Sequence, residues 1–152
     1  MLPRVLVAGV GDVFHGDAGF GPEASRQLQA GALPEGVSVV DYGTRPMHLV
    51  YDLLEGFDAL VVLDSLPRQR QPGRVVAFEV DPEVAGEDSP TMTPSDVLSG
   101  LALLGGRLPR TFVVRCEPQD SREHLGLSEP VRQAVPQAVG VVLDLLQVLP
   151  HS

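Results

Sequence analysis

The chain has 152 residues, 43% hydrophobic and 20% charged, with 20 acidic and 11 basic side chains for a net charge of −9. That length and balance predict one globular domain, 1–152, with a core that needs no disulfide, and the negative charge argues against nucleic acid as a partner. All 11 basic residues are arginines, so P-loop and Schiff-base chemistry, which need a lysine, are excluded.

"RVLVAGV" (4–10) is short, apolar and β-branched, and predicts a buried strand. The glycine-rich "GVGDVFHGDAGFG" (9–21) follows it. Gly21 and Pro22 then suit a helix start, with the helix running to Ala30 and ending at Gly31. "VSVVDYG" (37–43) predicts the second strand. "MHLVYDLLEGF" (47–57) sets Leu49, Val50, Leu53 and Leu54 on one helical face. "DALVVLDSL" (58–66) is a third strand, apolar until Asp64. "GRVVAFEV" (73–80) is a fourth, nearer an edge.

Residues 81–93 form an acidic, proline-containing loop. Thr93, Pro94 and Asp96 resemble a capped helix start, with Val97, Leu98, Leu101 and Leu104 as its buried face. "RTFVVRC" (110–116) is the fifth strand. It ends at the single cysteine, Cys116, read as a buried and inert thiol. Ser128 is placed to cap the last helix. Val135, Val139, Val142 and Leu146 mark its apolar stripe, and Pro136 predicts a start or a kink there.

Strands alternating with helices imply an α/β three-layer sandwich: a five-stranded, mostly parallel twisted sheet with helices on both faces. No apolar run approaches the length of a membrane span, and the N-terminus lacks the apolar core of a signal peptide, so a cytoplasmic protein is expected, with no membrane partner.

In such a fold, ligands bind beyond the carboxyl ends of the strands. The opening loop (Asp12, His15, Asp17), Asp64, and the turn holding Thr44, Arg45 and His48 all fall there, and the 116–120 segment is near. A dinucleotide fingerprint needs a third glycine where Phe14 stands, and two aspartates would repel a pyrophosphate, so no nucleotide cofactor is expected. Asp64 and Asp17 have two readings each: caps of local structure, or carboxylates facing one another across the crevice. With an imidazole they form an oxygen–nitrogen donor set suited to nickel, zinc or manganese. His15 is the candidate imidazole. His48, His124 and His151 read as surface residues.

Four stretches, "VLVAGVGDVFHGDAGFGPEA", "VVDYGTRPMHLVYDLLEGFDALVVLDSL", "TMTPSDVLSGLALLGGRLPRTFVVRCEP" and "GLSEPV", together resemble the maturation proteases of nickel–iron hydrogenases. The resemblance implies a hydrolase: an endopeptidase that clips a C-terminal extension from a hydrogenase large-subunit precursor once nickel is loaded. The nickel is then delivered in the substrate. The resemblance also implies three nickel-sensing side chains: an acid in the opening loop, an acid after the third strand, and a histidine before the third helix. Asp64 matches the second. The first falls on Ala18, directly after Asp17, and the third falls on Pro90. Asp64 and Asp17 are therefore the expected metal residues. Asp12, His15, and Asp88 or Glu87 are candidate substitutes. No residue stands out as a nucleophile, so the catalytic residues are unassigned. The replacement of two ligands by Ala18 and Pro90 keeps an alternative open, a non-catalytic relative that binds a hydrogenase subunit.

Overall fold

The computed structural model describes residues 3–80 and 94–149. Five strands form one sheet: β1 (Val5–Val10), β2 (Val37–Gly43), β3 (Ala59–Ser65), β4 (Val75–Glu79) and β5 (Arg110–Cys116). Their order is β2-β1-β3-β5-β4. All neighbours run parallel except β4, which is antiparallel to β5 at the edge. The helices are α1 (Phe20–Ala30), α2 (Pro46–Leu53), α3 (Pro94–Leu103) and α4 (Glu129–Val148). This is the expected α/β sheet with helices on both faces.

The period-two alternation of the strands sorts the core into two layers. Val5, Val7, Val61, Leu63, Val114 and Cys116 face α1 and α4, meeting Phe20, Leu28, Val135 and Val142. Leu6, Ala8, Val10 and Leu60 face α2 and α3, meeting Leu49, Val50, Leu53, Val97 and Leu101. Strands buried on both sides explain why β1 and β3 read as unbroken apolar runs.

Some helix boundaries differ from expectation. α2 ends at Leu53, and Leu54 is 41% exposed because the chain has already turned away. Leu104 lies past the end of α3 and is 45% exposed. The cap expected at Thr93 falls outside the described residues. α4 does not begin at Pro136. It starts at Glu129, with Pro130 in its first turn, and runs through Pro136. Pro136 is on the exposed side, so the carbonyl that loses its amide donor faces water, which weakens the usual penalty.

The order of the strands has a consequence for function. From β1 the chain moves outward to β2, and from β3 it moves the other way to β4 and β5. The crevice between the carboxyl ends of β1 and β3 is therefore the topological switch point. α1 seats against it through Gly21. A Cβ there would lie 2.2 Å from the Val10 carbonyl oxygen and 2.5 Å from that of Leu63. Gly21→Ala is expected to cost about 3 kcal/mol by overpacking, read as a lower denaturation midpoint in urea with unchanged slope.

Candidate functional site

The opening loop leaves β1 through Gly11, whose φ of 150° suits glycine. Asp12 organises the next turn. Its Oδ1 accepts the Phe14 amide at 2.9 Å, and its Oδ2 lies 2.9 Å from His15 Nδ1. Gly16 donates its amide to the His124 carbonyl at 2.8 Å. A side chain at Gly16 would strike the Asp120 carbonyl oxygen at 2.5 Å and His124 Nε2 at 2.7 Å, so only glycine fits between the two loops. One turn of 3-10 helix, Gly16–Gly19, then leads into α1.

Asp17 lies in that turn and is 1% exposed. Its carboxylate accepts four hydrogen bonds from the loop after β5. Oδ2 takes the amides of Gln119 at 2.8 Å and Asp120 at 3.0 Å, and the Ser128 hydroxyl at 2.7 Å. Oδ1 takes the Ser128 amide at 2.7 Å. Oδ2 is thus crowded by three donors, while Oδ1 takes one. In this arrangement Asp17, expected as a metal residue, ties the opening loop to the loop after β5. Ser128 likewise stands at the N-cap of α4, but its hydroxyl serves Asp17 and makes no cap hydrogen bond to the helix.

Asp64 is the penultimate residue of β3 and is 1% exposed, with Oδ1 accepting the Ser65 amide at 2.7 Å. Alternation puts Asp64 on the α2–α3 side of the sheet. Ser65 is on the α1–α4 side, where its hydroxyl donates to the Asp17 carbonyl at 3.3 Å. Adjacent residues of a strand point to opposite faces, so it is Ser65, not Asp64, that reaches the Asp17 backbone. Ala18 is buried and offers only a methyl group.

The substitute ligands are also dispersed. Asp12 and His15 bind each other on the loop surface. Asp88, Glu87 and Pro90 lie outside the described residues. His48, Thr44 and Arg45 are exposed at the start of α2. His124 is exposed as expected, yet its backbone is bridged to His15 and its ring covers Gly16. Among the described residues, no three His, Cys, Asp or Glu side chains are arranged to hold a metal ion.

Glu117 was visible in the sequence only as part of the 116–120 segment. It is fully buried, and its Oε2 accepts the amides of Gln69 at 3.1 Å and Gln71 at 2.7 Å, with Arg74 Nε 3.4 Å from Oε1. A glutamate directly after an apolar strand is the signal that marks it. It anchors the turn between β3 and β4. Burial, with Asp17 and Glu117 adding negative charge, pushes the Cys116 thiol up to about 12. The thiol is neutral and inert at neutral pH, as the sequence predicts.

A family model described as hydrogenase maturation protease matches residues 22–145. The chain belongs to that family. "Hydrogenase expression/formation protein HupD" of Rhizobium leguminosarum bv. viciae is 30% identical over 152 residues, covering 95% of this chain and 75% of the relative. "Hydrogenase 2 maturation protease" of Escherichia coli K12 is 29% identical, covering 95% and 91%. The solved structure of the hydrogenase maturating endopeptidase HybD from E. coli superposes with a TM-score of 0.81 at 29% identity, covering 95% of this chain and 92% of that one. These similarities support a hydrolase of the endopeptidase type over a non-catalytic relative. In this maturation protease, no helix among the described residues is long and apolar enough to cross a membrane.

Two measurements test the site. Asp17→Ala strands four donors in a buried setting and is expected to cost about 3–5 kcal/mol in urea unfolding, with Asp17→Asn costing less. A thiol reagent is expected to leave Cys116 unmodified in native protein at pH 8 and to modify it fully in denaturant; rapid native labelling contradicts the assigned burial.

Proposed function

We propose that this protease removes a C-terminal extension from a nickel-loaded hydrogenase large-subunit precursor, in the cytoplasm. The family match over 22–145, with an acid retained at the carboxyl end of the central strand β3, carries the reading. The nickel is part of the substrate. In that setting a metal serves as a Lewis acid that polarises a carbonyl.

This chain's own residues supply binding and orientation. Asp64 lies near the carboxyl end of the central strand at the switch point, with one oxygen held by the Ser65 amide, so its carboxylate is oriented before any partner arrives. The opening loop is kept in shape by Asp17 and Asp12. Beside it, Val13, Phe14 and Leu125 are 44%, 63% and 71% exposed. Large apolar side chains clustered on two adjoining loops suit the docking of a protein substrate.

Incubation with nickel-loaded precursor is expected to release a short C-terminal peptide detectable by mass spectrometry, while nickel-free precursor stays intact. Asp64→Asn is expected to lower kcat/KM by about 100-fold or more with circular dichroism retained. Equal cleavage of both precursors, or full activity of the variant, contradicts the proposal.

A further inference from the structure

Residues 65–78 carry three arginines, Arg68, Arg70 and Arg74, and no acid, in a chain of net charge −9. The turn that holds them, 66–74, leaves β3 directly after Ser65. It therefore lies on the same edge of the sheet as Asp64. Its backbone is fixed. Glu117 takes the Gln69 and Gln71 amides on Oε2, its carbonyl accepts the Gly73 amide at 2.8 Å, and its own amide donates to the Arg74 carbonyl at 2.8 Å. Gly73, at φ 88°, is pressed against the start of α4, where a Cβ would lie 2.7 Å from the Pro130 carbonyl oxygen. Pro67 and Pro72 restrict φ at two more positions. A turn held this way presents its side chains without a further cost of ordering the backbone.

Arg26, Arg74, Arg110, Arg122 and Arg132 each pair with an acid. Arg68 and Arg70 are exposed and have no acidic partner among the described residues. A cleft of about 630 Å³ is lined by Gln69, Arg70, Gln71, Arg74 and Glu117. The buried Glu117 carboxylate is already offset by Arg74, 3.4 Å away. A guanidinium carries donors only, and its fork matches a carboxylate. A long polyanion would also meet the negative charge of the rest of the chain. A short acidic segment feels only charges within a Debye length, about 10 Å at 0.1 M salt.

We infer that the 66–74 turn is a docking surface for an acidic segment of the precursor, with Arg68 and Arg70 receiving its carboxylates. The identity of the partner rests on the protease reading above. The patch adjoins the edge that holds Asp64 and contributes to capture of the substrate, so it acts on binding and leaves the chemical step alone.

Binding is read with nickel-free precursor, which separates it from cleavage. By biolayer interferometry at about 50 mM salt, Arg68→Glu/Arg70→Glu is expected to raise Kd by about 10-fold or more, with Arg68→Gln/Arg70→Gln falling between it and wild type. Salt at about 500 mM is expected to erase the difference. Arg107→Glu makes the same kind of charge change at the amino edge, before β5, and is expected to move Kd by less than about twofold. Both positions of the turn are exposed, and circular dichroism checks that the variants fold. With nickel-loaded precursor, Arg68→Glu/Arg70→Glu is expected to raise KM and keep kcat within about twofold. An unchanged Kd, a loss equal to that of Arg107→Glu, or no binding by wild type overturns the proposal. Displacement of the precursor by a single-stranded oligonucleotide that depends on the same arginines overturns the assignment to an acidic peptide. Cleavage that ignores these arginines defeats this inference alone, whereas arginine-dependent binding without cleavage defeats only the protease reading.

Discussion

The carboxylate of Asp17 is the tie on which the carboxyl edge of this molecule depends. It is buried and collects four donors from residues 119, 120 and 128. Hydrogen bonds to a charged acceptor are the stronger kind, each contributing about 1.5–3 kcal/mol. The loop after β5 and the start of α4 are thereby held to the loop after β1, across more than a hundred residues of chain. Gly16 permits the close approach, since any side chain there would strike the partner loop. With those loops fixed, α1 and α4 can close over one face of the sheet.

The same tie decides what the opening loop can offer chemically. Three donors on Oδ2 and one on Oδ1 commit most of the accepting capacity of Asp17 to the neighbouring loop. Glu117 also ties backbone, through Oε2, which anchors the 69–71 turn, while its Oε1 faces Arg74 at 3.4 Å. Two buried acids near the crevice therefore hold the backbone in place. Asp64 differs because it lies near the end of the central strand, on its α2–α3 face, at the switch point of the sheet.

Membership of the hydrogenase maturation protease family and the chemistry of this particular chain meet at that residue. Ala18 stands where the family resemblance implies an acid, and Arg115 lies one strand from the acid that remains.

The amino-acid sequence determined the strand count, the parallel layers, the edge position of β4, the inert cysteine and the family. Those features rest on local periodicity and on motifs in fixed order, which one chain displays without folding. It also singled out Asp64 as an acid ending an apolar run. Tertiary structure alone decided that Asp17 is a clamp, because its partners come from residues 119–128. It alone showed that Ser65, on the face opposite Asp64, reaches the Asp17 carbonyl, which depends on pleat parity. It carried α4 through Pro136, since only packing shows that the orphaned carbonyl faces water. It placed Arg115 beside Asp64, because strand register is set by the assembled sheet and cannot be read from either strand alone.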